Sequence, residues 1–202
     1  MGKMLYKILL VLVKSIIYPI FRVEVHGREN LPEEGSFILC GNHWSNWDPI
    51  FLAGAFNKPI SFMGKKELFD IKILGKVLES LNAFPVDRDN VSLNSLRRSV
   101  EIINDGKILG MFPEGTRVNE IDRKNIKDGA GYIALKADSD IVPVEILSTY
   151  KPFRKTKIIF KKHLKIDDYK KYKRKIAMEK LMDDTFLAIY ENRKELMSGE
   201  KN

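Results

Sequence analysis

Only one of the 202 residues is cysteine, so no intramolecular disulfide can brace the fold, and a reducing compartment suits the chain. That thiol, Cys40, ends the apolar run Phe37-Ile38-Leu39-Cys40 and reads as a buried strand residue rather than a nucleophile. Histidine is scarce as well. His26, His43 and His163, with the single cysteine, take no zinc spacing, so no metal is expected, and His26 and His163 read as structural or solvated residues near strand ends. A long hydrophobic run is also missing. Lys14 interrupts the N-terminal apolar stretch well before the ~20 residues a membrane span needs. The same lysine, with no small-x-small site after it, argues against a secretory signal. No internal repeat or low-complexity linker divides the chain, which leaves one domain large enough to enclose a sizeable core.

What is present is an alternation of short apolar runs with helical patterns. Strands are expected near residues 22–25, 37–40, 60–63, 83–86, 108–112, 141–147 and 157–160, with helices between them. This is the pattern of a single α/β domain whose mixed sheet is flanked by helices. Asn90 is placed to cap a helix carrying Leu93, Leu96, Val100 and Ile103 on one face, and Gly106 to stop it. Residues 129–137 read as another helix, and the charged stretch 118–128 as a solvated connection rather than a mobile flap.

Two segments carry candidate chemistry. In Asn42-His43-Trp44-Ser45-Asn46-Trp47-Asp48-Pro49 an imidazole and a carboxylate share a strand-to-helix loop. A regular helix would set residues five apart roughly 140° from each other, so His43 and Asp48 meet only if the segment between them is irregular. Asp48, before a proline and of a favoured capping type, is expected at the N-cap of the next helix, facing back toward His43. A carboxylate on one ring nitrogen fixes the tautomer and leaves the other nitrogen free to take a proton from a hydroxyl. The second segment, Phe112-Pro113-Glu114-Gly115-Thr116-Arg117, follows the apolar run Ile108-Leu109-Gly110-Met111. It joins a backbone-permissive glycine to a hydroxyl and a planar guanidinium, which suits an anion.

Taken together, N-H-x-S-x-x-D and F-P-E-G-T-R resemble the signature pair of the glycerolipid acyltransferase family. Phe84-Pro85-Val86-Asp87-Arg88 is similar to the family's second block, Ile141-Val142-Pro143-Val144 to its fourth, and Met63-Gly64-Lys65-Lys66-Glu67-Leu68-Phe69 to its lysine-bearing segment. The resemblance spans roughly residues 22 to 165, and it departs at Val118, where many relatives have serine. It implies transfer of a fatty acyl group to the sn-2 hydroxyl of 1-acyl-glycerol 3-phosphate, giving phosphatidic acid. The donor would be an acyl carrier protein or coenzyme A thioester, with no other cofactor. His43 would be the general base and Asp48 its orienter, with Ser45 bonding within the loop rather than acting as nucleophile. Lys65, Arg88 and Arg117 would hold the acceptor phosphate, Glu114 and Gly115 would shape that pocket, and Thr116 would add a weaker contact. The fourth block would support the acyl side. Alternative acceptors are glycerol 3-phosphate or another lysophospholipid. A catalytically silent lipid-binding relative is the alternative of a different class, and intact His43 and Asp48 argue against it.

Lysine and arginine outnumber acids 35 to 27, a formal charge of +8, which suits anionic lipid, an acidic carrier protein, coenzyme A or nucleic acid. Residues 1–21 place Leu5, Ile8, Leu9, Leu12, Val13, Ile16 and Ile17 at helical spacing, with Lys3, Lys7 and Lys14 along one edge. An interfacial membrane-associating helix is the expectation, ahead of the acyltransferase domain at 22–202, and with it a peripheral or monotopic location on the cytoplasmic face of the cell membrane. The C-terminal region, about 167–197, opens with Tyr169-Lys170-Lys171-Tyr172-Lys173-Arg174-Lys175. Tyrosines among lysines are a cue for nucleic acid. Met178, Leu181, Met182, Phe186, Ile189 and Tyr190 then follow at helical spacing, so the charges read as a solvated lead-in and nucleic acid is not an expected partner.

Overall fold

The computed structural model describes residues 2–56, 58–87 and 93–193. Seven strands form one sheet: β1 Val23–His26, β2 Ile38–Gly41, β3 Ile60–Lys65, β4 Phe84–Val86, β5 Ile108–Met111, β6 Ile141–Leu147 and β7 Thr156–Phe160. Their spatial order is β1-β7-β6-β2-β5-β3-β4, and every pairing is parallel except the β6–β7 hairpin. All seven expected strands are present, their ends within about two residues of expectation, the scatter usual for element boundaries. Central parallel strands are covered on both faces, which is why they are legible as continuous apolar runs.

The helices are α1 Gly2–Leu12, α2 Tyr18–Ile20, α3 Asp48–Ala55, α4 Lys72–Ser80, α5 Leu93–Asn104, α6 Gly129–Ala137 and α7 Arg174–Ile189, with a π-turn at Val13–Ile17 linking the first two. Alternation along β2 sorts the core into two layers. Ile38 and Cys40 pack with α5, α6 and α7, while Phe37 and Leu39 pack with α3 and the β6–β7 hairpin. In α5 the face Leu96, Val100 and Ile103 lies on the core as expected, but Leu93, in the first turn, is left in solvent. Gly106 ends that helix with φ +74, and the proposed cap Asn90 lies outside the described residues. The charged stretch 118–128 is pinned by a short 3-10 turn, the buried Ile126 and an Arg123–Asp183 ion pair. In α7 the residues Leu181, Met182, Phe186 and Ile189 enter the core, and the helix begins only after a 3-10 turn at Ile166–Tyr169.

The N-terminal helix docks by one face. Tyr6 is buried, Tyr18 Oη donates to the Phe51 carbonyl at 2.8 Å, and a Cβ on Gly54 would lie 2.6 Å from the Tyr18 ring, so that glycine permits the close approach. The other face leaves Met4, Leu5, Ile8, Val11, Leu12 and Ile16 exposed. No helix of the described residues is long and apolar enough to cross a membrane.

Candidate active site

The motif loops collect at the carboxyl ends of the parallel strands, the end where open α/β sheets place their ligand crevices. β2 sits between β5 and β6, so the loop that follows it is reached from both neighbours. Residues 42–47 form bends and a turn rather than helix, and His43 Nδ1 lies 3.1 Å from Asp48 Oδ2. Asp48 is not the N-cap of α3. Trp47 holds that position, and Asp48 is the first helical residue, because its own N–H closes a turn onto the Ser45 carbonyl at 3.2 Å. Its carboxylate turns back beneath that turn, and Oδ2 accepts the Trp44 and Ser45 backbone N–H groups at 2.7 Å each.

Tyr150, from the β6–β7 hairpin, completes the set by donating its hydroxyl to Asp48 Oδ1 at 2.8 Å. Burial and the adjacent Asp48 carboxylate push the Tyr150 phenol up, so it stays protonated and donates. A wholly buried carboxylate is tolerable here because four donors converge on it. An ionised carboxylate only accepts, so Nδ1 carries the imidazole proton and Nε2 keeps its lone pair. Nε2 makes no hydrogen bond to a described residue, and His43 lines an apolar cavity of about 260 Å³ with Met63, Val86, Leu96, Met111 and Ala130.

The loop after β5 grips the same histidine. Phe112 stacks on the imidazole with centroids 4.3 Å apart, Glu114 Oε1 accepts the His43 N–H at 3.4 Å, and the Val118 N–H donates to the His43 carbonyl at 3.0 Å. Val118 contributes through its amide, which any non-proline side chain would leave in place. Glu114 is buried, and desolvation pushes its carboxyl above the usual carboxylate range although Tyr190 Oη donates to Oε1 at 2.6 Å. Burial, reinforced by Glu114, also pushes the Cys40 thiol up, which keeps it inert.

Residues 22–147 match the family model described as Acyltransferase. The chain belongs to this family. Over 123 residues it is 37% identical to the 1-acyl-sn-glycerol-3-phosphate acyltransferase of Bacillus subtilis (strain 168), an alignment covering 60% of each chain. Over 147 residues it is 30% identical to the protein of the same name in Borreliella burgdorferi, covering 72% of this chain and 58% of that one. The chain therefore spans about 60% of the length of these relatives. The crystal structure of the 1-acyl-sn-glycerophosphate (LPA) acyltransferase PlsC from Thermotoga maritima shares the fold, with a TM-score of 0.66 at 24% identity over 89% of this chain and 78% of that one.

Around His43 the remaining expected residues fall into three groups. Thr116 and Arg117 are exposed beside the His43 loop, and the Arg117 side chain makes no hydrogen bond or ion pair with a described residue. Lys65, at the end of β3, is exposed and 3.6 Å from Glu67, while Arg88 lies outside the described residues. The fourth block, expected to back the acyl side, lies in β6 paired with β2 and does not line the cavity, because its apolar side chains face the two core layers. Among the described residues no cluster of His, Cys, Asp and Glu could hold a metal ion.

Sequence reasoning missed Tyr150, Tyr190 and Lys127. Lys127 lines the cavity beside Gly115, whose φ is +71 and where a Cβ would sit 3.1 Å from the lysine Nζ. Nothing in a charged connection singles that lysine out, Tyr190 reads as one more apolar position of its helix, and Tyr150 stands in a polar stretch between two strands.

Proposed function

We propose that the chain transfers a fatty acyl group from a thioester to the sn-2 hydroxyl of 1-acyl-glycerol 3-phosphate, forming phosphatidic acid. The observation that carries this reading is His43, oriented by Asp48, with its Nε2 free of any partner among the described residues and the ring lining an apolar cavity together with Gly115 and Lys127. The names of the Bacillus subtilis and Borreliella burgdorferi relatives support the acceptor. His43 Nε2 takes the hydroxyl proton as the oxygen adds to the thioester carbonyl. The tetrahedral intermediate collapses with cleavage of the C–S bond, and the imidazolium returns the proton to the departing thiolate. Asp48 stabilises that transient imidazolium, and general-base help of this kind contributes roughly 10²–10⁴-fold.

Arg117, Lys65 and Arg88 hold the acceptor phosphate, with Thr116 as a weaker contact, and Lys127 joins them at the cavity rim. Glu114 and Gly115 shape the loop. An acyl carrier protein or coenzyme A thioester is the donor, and no other cofactor enters the scheme. The apolar face of α1 and the net charge of +8 suit an enzyme seated on an anionic bilayer surface, peripheral or monotopic on the cytoplasmic side, and no nucleic acid takes part. The test is to incubate the purified full chain with labelled 1-acyl-glycerol 3-phosphate, glycerol 3-phosphate and a neutral lysophospholipid, each with both thioesters. Phosphatidic acid as the dominant product, abolished by His43→Ala, is the expected result. Preferential acylation of another acceptor would reject the substrate, and full activity of His43→Ala would reject the mechanism.

A further inference from the structure

The turn after α7, Glu191–Arg193, lies against the loop that carries His43, although it and Tyr190 fall beyond the segment 22–147 that matches the family. Tyr190 is buried, and the Glu114 oxygen to which it donates at 2.6 Å is the one that accepts the His43 backbone N–H at 3.4 Å. Burial and the Glu114 carboxylate push the Tyr190 phenol up, so it remains a donor. Arg193 is buried too. Its Nη2 donates at 2.7 Å to the Ile146 carbonyl, which also accepts from Asn42 Nδ2 at 3.1 Å, and the Ile146 N–H returns to Asn42 Oδ1 at 2.7 Å. The guanidinium then lies 4.3 Å over the Trp44 ring. Asn42, His43 and Trp44 are each held by Tyr190 or Arg193, directly or through one shared acceptor.

Arg193 is anchored from behind. Its Nε lies 3.5 Å from Glu145 Oε1, and the wholly buried Glu145 also takes Lys161 at 3.2 Å and the Asn192 amide at 2.7 Å. A planar guanidinium can stack on an indole and donate in its own plane at once, which an ammonium cannot. Neither Tyr190 nor Arg193 lines the cavity beside His43.

We propose that Tyr190 and Arg193 are positioning residues for acyl transfer, fixing the backbone of Asn42-His43-Trp44 so that His43 Nε2 meets the acceptor hydroxyl. The proposal rests on His43 being the base. Because they act through the base and not through substrate contacts, their loss lowers kcat and leaves binding alone, and a displacement of about 1 Å costs on the order of 10²-fold.

The test starts from Tyr190→Phe, which keeps the ring and deletes one hydroxyl. Its kcat should fall about tenfold or more with both KM values within about twofold, measured well below Tm and per folded protein. Arg193→Lys keeps a cation against Glu145 and should show the same split. Tyr169→Phe deletes an equally short phenol–carboxylate bond, 2.6 Å to Asp184 on α7 itself, and should cost stability without lowering kcat. A second readout needs no turnover: in NMR spectra of the three histidine rings the His43 chemical shifts should be moved in Tyr190→Phe, with His26 and His163 unmoved. Wild-type kcat and an unmoved His43 in both variants would overturn the proposal, as would a kcat loss shared equally by Tyr169→Phe. If the wild type acylates no lysophospholipid, the proposed function falls and the histidine chemical shifts decide this inference alone, an unmoved His43 overturning it.

Discussion

Asp48→Asn separates the two jobs of the carboxylate. Oδ2 accepts two backbone N–H groups at 2.7 Å, so an amide nitrogen placed there would oppose two donors, and the asparagine oxygen must take that site. The amide nitrogen then faces Tyr150, whose hydroxyl can turn from donor to acceptor. The loop survives, His43 keeps its proton on Nδ1, and what is lost is the full negative charge opposite the imidazolium. Unit charges about 4 Å apart interact by about 4 kcal/mol at an effective dielectric near 20. The amide dipole retains part of this, so a barrier increase of about 3–4 kcal/mol, or ~10²–10³-fold in kcat, is expected. The assay is steady-state phosphatidic acid formation beside a thermal melt. A kcat within about threefold of wild type would show that Asp48 only clamps the loop, since such a change is under about 1 kcal/mol.

Arg117→Lys keeps charge but loses the planar fork, so KM for the phosphate-bearing acceptor should rise about tenfold or more with the thioester KM little changed. A rise confined to the thioester would place Arg117 on the donor. Glu114→Gln tests burial of a carboxyl whose folded pKa is raised, a group that favours the folded state below its unfolded value of about 4.3 and loses that contribution as pH rises through the folded value. The melting temperature of Glu114→Gln relative to wild type should therefore climb as pH rises above that unfolded value, and parallel curves would refute the shift. Ile8→Glu with Val11→Glu alters side chains that are 50% and 61% exposed, so Tm should hold while binding to anionic liposomes falls about tenfold or more. Unchanged liposome binding would remove α1 as the membrane face.

The fold was legible because its signals are local. A strand buried on both faces, such as Ile38-Leu39-Cys40-Gly41, is an uninterrupted apolar run, and the face Leu181, Met182, Phe186 and Ile189 repeats at helical spacing. The chemistry of the site was legible only where both partners share a loop. His43 and Asp48 are five residues apart, whereas Tyr150 and Asp48 are separated by 102 and Tyr190 and Glu114 by 76. A tyrosine on an apolar helix face looks like packing until the fold supplies an acceptor for its hydroxyl. Asp48 failed as a cap for a related reason: the pre-proline bias and capping preference are weak against two backbone amides that converge on the carboxylate from the preceding turn.

The contrast between fixed and free groups follows from strand order. β2 lies between β5 and β6, so the residue just beyond its end meets a loop from each side. From β5 come the Phe112 stack and Glu114, and from β6 the Ile146 clamp on Asn42 and the Tyr150 hydroxyl on Asp48. A base placed there costs little reorganisation when the reaction begins, because its tautomer and backbone are already set. Of the phosphate-binding candidates, Lys65 and Arg117 are exposed at the surface. Among the described residues Lys65 is held by an exposed ion pair worth about 0–1 kcal/mol, so turning it from Glu67 toward an incoming phosphate is inexpensive. Arg117 has no such partner to leave among the described residues. On the proposed reaction, exposed cations around a firmly held His43 predict that acceptor-site substitutions register mainly in KM and base-loop substitutions mainly in kcat.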